Sequence, residues 1–559
     1  MSILVPRILE IVSKESNSIR TANFCSNYPQ QKIQQRGELL LARIFHFADV
    51  PWYETFWADP SSMSFLWISL LFSVLYIGSS FERAMSAGVS DSVDVSLQSQ
   101  FLIRAAEALV TGGYQKARPY SVEAVLSLAY CKFLQKEDPD ADACMVMGIA
   151  ARLALRMGYH RDPRRFPHLS PFEGELRRRV FFLVETFDLL LSFQAGLPPI
   201  INEEECDIDP PRNLSDEDFD EDCTELPPSR PPVEATSMLY FHYKSVFAKT
   251  FRRVMRHALS VKSPSYEDTV RLDQELLEMQ DEKPSCLKMK PLVAFTRESA
   301  AIVFDILNIE VMYLKCVCVL HRKYITHERS NPKFEYSRSR CIEAALKVLA
   351  LQTELHAACQ PGGQYFEDKW MISNLIIYDF ILAGIIVCLD LFESRHTSSN
   401  ASLCDLKIQA QRYDILTHTR DIWNSRKESS RDARRAANIL SVILSRIPRP
   451  AVTCATTNLH QGNDSQLLPD EENLMEIPLD VSDNSNWNNG IFLPDEEIGT
   501  GNNAALDFSS ALFTDSDQID WVSLHVSLFA LMLISVQALV DQYLIDRGVM
   551  SDVPLEWGN

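Results

Sequence analysis

The chain has 559 residues and a formal charge of −21, from 54 basic against 75 acidic side chains, and a length roughly three to four times that of a typical domain calls for several packed units or one large body with tails. Hydrophobic residues make up 46%, ordinary for a globular chain and too many for a wholly disordered one. Only 18 residues are glycine, which argues against a doubly wound nucleotide-binding fold with its glycine phosphate turns, and the net acidity argues against a simple whole-chain nucleic-acid binder.

The apolar residues recur with a helical period nearly everywhere, and strand alternation bounded by tight turns is absent apart from an isolated Asn489-Gly490. The expected fold class is all-α: a large multihelical regulatory domain with a disordered acidic segment near the C-terminus. In chain order, the N-terminal segment 1–49 carries a helix near 38–48 and no signal-peptide pattern. Helices are expected at 64–77, 97–111, 121–136 and 143–157, the last closed by Gly158 and the Asp162-Pro163 turn. The clearest start is Ser170-Pro171-Phe172-Glu173, where serine caps, proline occupies the first helical position and glutamate completes a capping box. That helix runs to Leu191 and stops at Gly196 before Pro198-Pro199. Residues 202–233, with nine acidic residues from Asp207 to Glu225 and six prolines, read as a solvated loop. Further helices are expected at 234–259, 267–280, 292–324, 337–355, 371–392, 405–424 and 431–446.

The acidity is concentrated. Residues 451–521 hold 14 Asp and Glu with no Lys or Arg, and 522–559 hold four acidic residues and one basic, so the first 450 residues carry only −4. The segment 451–521, rich in Asn, Asp and Ser, reads as disordered. Thirteen cysteines stand singly without C-x-x-C spacing, the pattern of reduced, mostly buried thiols in an intracellular protein. Apolar runs at 67–78, 371–391 and 522–540 read as helices buried in a large all-α body. The run 522–540 is long enough to raise a membrane anchor as an alternative, although His525, Ser527, Ser535 and Gln537 interrupt it.

Signatures of enzyme chemistry are missing: there is no Walker loop, G-x-G-x-x-G, G-x-S-x-G or H-E-x-x-H. The run Asp216 to Asp222 raises one alternative, an all-α Mg-dependent isoprenoid diphosphate enzyme with Asp218 and Asp222 as metal ligands. Its position between proline pairs favours a solvated loop instead. Arg161, Arg164 and Arg165, with Arg177, Arg178 and Arg179, read as internal ion-pair partners rather than phosphate binders; Arg178 or Arg179 would meet Glu185 or Asp188. No catalytic, cofactor-binding, metal-binding or DNA-binding residue is assigned.

One succession of residues carries a family likeness. Tyr120-Ser121-Val122-Glu123-Ala124 leads to Arg152, Arg156-Met157-Gly158-Tyr159-His160-Arg161-Asp162, then Leu169-Ser170-Pro171-Phe172-Glu173, Glu175-Leu176-Arg177-Arg178-Arg179, Asp188, and Gly196-Leu197-Pro198-Pro199-Ile200-Ile201. It resembles the regulatory middle region of fungal binuclear zinc-cluster transcription factors. Phe56-Trp57 with Asp59-Pro60-Ser61 looks like the opening of that region, and Leu320-His321-Arg322-Lys323-Tyr324 like one of its later helices. The family often has tryptophan where Phe181-Phe182 stand and proline where Lys323 stands. The resemblance implies a regulatory domain over about 50–360, with further helices at 361–450 packed on it. It also implies a non-enzymatic role in RNA polymerase II transcription in the nucleus, with other zinc-cluster factors as dimer partners.

Such factors bind DNA through six cysteines that share two Zn²⁺. Before Cys131 this sequence has only Cys25, so zinc and direct DNA contact are expected only at the level of the family. The segment 451–521 suits an activation role by its physics. Trp487, Phe492, Phe508, Phe513 and Trp521 stand among carboxylates that keep them solvated, ready for capture by transcription machinery or coactivators.

Overall fold

Ser170 Oγ accepts from the Glu173 backbone N–H at 3.1 Å, and Glu173 Oε2 accepts from the Ser170 N–H at 2.8 Å, so the capping box expected from the sequence starts a helix at Pro171. A computed structural model of the chain describes residues 62–86, 95–135, 141–260, 264–325, 331–369, 374–397 and 403–446, with single positions at 262, 372 and 449. Among the described residues there are twelve α-helices and no strand. They are α1 (Phe65–Ser86), α2 (Val95–Gly112), α3 (Ser121–Gln135), α4 (Ala141–Arg156), α5 (Pro171–Ala195) and α6 (Met238–Ala258). Then follow α7 (Tyr266–Asp281), α8 (Ala300–His321), α9 (Glu335–Ala358), α10 (Asn374–Thr397), α11 (Leu403–Ser425) and α12 (Arg431–Arg446). The all-α reading is the observed architecture.

Each helix packs on its successor in the chain, and α1 on α3, α6 on α8, α8 on α10 and α9 on α11 add second-neighbour contacts. The body is thus assembled by local succession, and all described residues fall in one compact unit. The interior runs along α5 and α8. Helix α8 is apolar from Val311 to Leu320 except for Lys315, and the whole stretch is buried, as a helix without a solvated polar face must be. Helix α12 is the opposite case, with alanines and leucines on one side and arginines on the other.

Boundaries moved where tertiary bonds competed with the helical period. The helix expected over 292–324 is split: Leu292–Ala294 form a single 3₁₀ turn after Pro291, and α8 starts only at Ala300, capped by Ser299. The helix expected from 234 starts at Met238, because Asn213 Oδ1 accepts from the Thr236 N–H at 3.1 Å and holds the preceding residues in a turn. Of eleven described cysteines, all free, only five are buried, namely Cys131, Cys316, Cys318, Cys341 and Cys388. The expectation of mostly buried thiols is corrected, since the others sit on loops and on the partly exposed sides of helices. Among the described residues no helix is long and apolar enough to cross a membrane. The helix near 38–48, the segment 451–521 and the run 522–540 lie outside the described residues.

Candidate functional site

Helix α5 carries the densest set of buried charges, and most of the residues in the family-like succession meet around it. Glu175 is fully buried. It accepts from Arg178 Nη1 at 3.2 Å and from the backbone N–H of Arg212 at 2.9 Å, with Arg179 Nε at 3.7 Å. Burial pushes the Glu175 carboxyl above the ordinary range, and the arginines and the Arg212 N–H oppose it. Arg179 continues outward: its Nη1 donates to Asp216 Oδ1 at 2.5 Å, its Nη2 to the Leu214 carbonyl at 3.3 Å, and its guanidinium lies 5.0 Å from the Phe219 ring centre.

Two turns further along α5, Glu185 faces Arg252 of α6. Arg252 Nη1 donates to Glu185 Oε1 at 2.7 Å, and both side chains are nearly inaccessible. Asp188 then accepts the backbone N–H groups of Ile200 at 3.1 Å and Ile201 at 3.0 Å, which folds the Gly-Leu-Pro-Pro-Ile-Ile stretch back on its own helix. Gly196, at φ 68°, supplies the left-handed residue that this reversal needs. The internal pairing expected of Arg178 and Arg179 is present, but with Glu175 and Asp216. Glu185 and Asp188 are taken by Arg252 and by backbone donors instead, because α6 and the returning loop reach them first.

The corner after α4 is built the same way. Tyr159 Oη donates to Glu123 Oε1 at 2.6 Å, and the Arg177 guanidinium lies 4.7 Å from the Tyr159 ring centre. Arg161 and Arg165 both pair with Asp207, at 3.2 and 2.9 Å, and Arg164 pairs with Asp162 at 2.7 Å. These basic groups are internal partners, as the acidic composition led one to expect.

The acidic loop 202–233 contains no α-helix, only single 3₁₀ turns at Glu203–Glu205 and Asp216–Asp218, but it is not merely solvated, which corrects the sequence expectation. Leu214 and Phe219 are buried and pack with Phe172 in a small apolar cluster. Asn213, also buried, receives the Thr236 N–H and donates to the Arg230, Pro231 and Glu234 carbonyls. Arg212 Nη1 donates to the Leu226 and Pro227 carbonyls at 3.2 and 2.7 Å. Asp218 is held by Arg230 and by the Ser215 N–H, and that partnership keeps its carboxyl below the usual range. Asp222 is exposed. Asp218 and Asp222 therefore do not face a common cavity, and the diphosphate-enzyme alternative loses its ligands. No group of three or more metal-ligating side chains forms among the described residues.

A second polar cluster joins α7, α8 and α9. Asp273 is fully buried and meets His321 Nε2 at 3.3 Å, Arg340 Nη2 at 3.0 Å and the Tyr336 hydroxyl. Burial alone would raise the Asp273 carboxyl, but the donors from His321, Arg340 and Tyr336 hold it well below the usual range. Deeper still, Lys315 Nζ of α8 pairs with Asp379 Oδ1 of α10 at 2.7 Å. Burial pushes Asp379 up to about 6. Sequence reading did not assign Arg252, Asp273, Lys315 or Arg340. A signal existed in the lone charges inside apolar runs, Lys315 between Leu314 and Cys316 and Asp379 between Tyr378 and Phe380, since a buried charge demands a partner.

The aromatic residues Trp487, Phe492, Phe508, Phe513 and Trp521 lie outside the described residues. What the described residues assemble is a framework of internal ion pairs that set helix crossings and clamp one loop, with no reactive constellation.

That framework is the helical body of a transcription factor domain. Residues 55–282 match the model of the fungal specific transcription factor domain. The chain is 36% identical to the Zn(2)-C6 fungal-type transcription factor pigI of Monascus ruber, over 74% of this chain and 52% of that protein. It is 34% identical to the Zn(2)-C6 fungal-type transcription factor mpsB of Macrophomina phaseolina, over 72% of this chain and 55% of that protein. The equisetin cluster transcription factor eqxF of Fusarium heterosporum is 31% identical, over 72% of this chain and 59% of that protein. The chain spans about half the length of the curated relatives it matches. No solved structure matches. The chain belongs to the family of fungal transcription factors that carry this domain, and the domain and these relatives are transcription factors rather than enzymes.

Proposed function

We propose that the chain is a regulator of RNA polymerase II transcription in the nucleus, in which the helical body is the regulatory part and the acidic segment 451–521 recruits transcription machinery or coactivators. The observation that carries this reading is the match of residues 55–282 to the fungal specific transcription factor domain, joined in one chain to a segment of 14 carboxylates and no basic residue. Repulsion among the carboxylates keeps Trp487, Phe492, Phe508, Phe513 and Trp521 accessible, and a partner with an apolar groove and a basic rim gains by burying them on binding.

Zinc and direct DNA contact are assigned at the level of the family and to no residue of this chain. Other zinc-cluster factors are the proposed dimer partners through which it reaches DNA. Three relatives are named as the pyrrolocin, equisetin and fusarisetin A cluster transcription factors, and we extend to this chain the control of such a cluster.

The test is a reporter assay with residues 451–521 fused to a heterologous DNA-binding module. Activation is expected, and it should disappear when the five aromatics are replaced by alanine. A silent reporter with the fusion protein present sinks the activation reading.

A further inference from the structure

We propose that the proline-rich strap 226–233 is a docking site for a partner domain with an aromatic-lined, basic-rimmed groove of the kind that takes polyproline helices. The strap reads Leu226-Pro227-Pro228-Ser229-Arg230-Pro231-Pro232-Val233. Its four prolines have φ fixed by their rings, and each residue that precedes a proline is pushed to the extended region, so Ser229 and Val233 alone escape both constraints. The structure follows these rules: residues 226–231 lie outside any helix, strand or turn, and none of them has a positive φ. That is the backbone of a polyproline helix, which repeats every three residues. Pro228 and Pro231, three apart, therefore share one face. Every residue from 228 to 233 is exposed, Val233 by 88%.

The fold fixes the strap from behind. Arg212 Nη1 donates to the carbonyls of Leu226 and Pro227, and Nδ2 of the buried Asn213 donates to those of Arg230, Pro231 and Glu234. The Asn213 N–H donates to Ser229 Oγ at 3.0 Å, the Arg230 N–H to the Asn213 carbonyl at 3.1 Å, and Cys286 Sγ to the Pro232 carbonyl at 3.5 Å. The carbonyls of Pro228 and Ser229, between the two anchors, take no part in these bonds. They are acceptors for the Trp and Tyr donors that line such a groove. A strap ordered in advance loses less conformational entropy on binding than a free chain does.

The surroundings set the charge of the partner. Asp220, Glu221, Asp222 and Glu225 are exposed on the N-terminal side of the strap, and Glu234 follows it. The one cation within the strap, Arg230, is already held by Asp218 and Glu234. The face is therefore net acidic, and a groove with a basic rim complements it. The inference stands on the strap's own geometry, whether or not the segment 451–521 activates transcription.

The test applies the labelled full-length chain to an array of purified fungal WW and SH3 domains, with affinities then read from fluorescence anisotropy. Binding is expected on domains whose groove has a basic rim, and it should weaken in about 0.5 M salt. In P228A/P231A the affinity should fall about tenfold, the loss that follows truncation of a central contact. The anchoring bonds are made by backbone carbonyls that alanine keeps, so this variant should retain its circular dichroism and melting curve; P228A alone is the fallback with the same readout. N213A keeps the prolines but should bind about fivefold more weakly, because the strap must then be ordered on binding. An array on which no domain binds the wild-type chain overturns the proposal, and so does equal affinity of wild type and P228A/P231A. N213A that keeps its helical circular dichroism and binds as tightly as wild type overturns presentation by the fold. Self-association of the wild-type chain that is lost in P228A/P231A would place a second copy on the strap and overturn the choice of partner.

Discussion

Arg252 and Glu185 meet where α6 crosses α5, both at the floor of accessibility. A guanidinium and a carboxylate taken out of water together roughly break even, whereas removing one leaves the other charged and buried. Arg252→Ala should therefore cost about 3–5 kcal/mol, read from urea unfolding, while the paired change Arg252→Met with Glu185→Gln should recover most of that loss. A second residue answers to pH. His257 Nε2 lies 2.9 Å from Thr269 Oγ1, and burial, aided by Lys323, lowers its imidazole to about 4 from the usual 6.5. The unfolded chain then binds more protons between those values, so His257 contributes stability above pH 6.5 that is lost as pH falls toward 4. His257→Gln, which keeps a polar partner for Thr269, should make unfolding midpoints less sensitive to pH in that window. An unchanged slope between pH 4.5 and 7 would refute the assignment.

At the scale of elements, the helices were legible because their ends are written in local chemistry. Ser170-Pro171 with Glu173 started α5 and Gly196 ended it, and both rest on short-range bonds that a sequence reader can place. The acidic loop was not legible. Its order comes from Asn213 and Arg212 reaching carbonyls 14 to 21 residues away, and nothing in a run of Asp, Glu and Pro shows such anchors. The polar partners inside the body were half legible: the arginines read correctly as internal, but which carboxylate each meets depends on helix crossings. The loop makes its own prediction. Asn213→Ala removes the donors to three carbonyls and the acceptor for Thr236, so amide exchange should speed up across 226–236 while the middle of α5 keeps its protection. Ser170→Ala should instead cost about 1 kcal/mol through the lost cap, and it should leave exchange in the loop as it was.

For the whole molecule, the matched domain at 55–282 does not bound the folded body, because α8 serves both sides of that limit. It packs on α6 within the matched region and on α9 and α10 beyond it. Its Lys315, 4% exposed, lies 5.1 Å from the Phe193 ring centre on α5 and 2.7 Å from Asp379 on α10. A chain stopped at residue 360 would keep α8 and α9 but lose the carboxylate that answers Lys315, together with the apolar cover from Phe380, Ala383, Val387 and Leu391. Exposing that much apolar surface while stranding a cation should defeat folding. Residues 1–360 are thus expected to elute as aggregates on size exclusion without a cooperative melt, and residues 1–450 as a folded species of defined size. Lys315→Met in the shorter chain separates the two causes. If the stranded charge is the main fault, the substitution restores a cooperative transition; if the uncovered apolar face dominates, aggregation persists. A shorter chain that is soluble and melts cooperatively would show that α10 to α12 are an appendage, and that the regulatory body ends where α9 does.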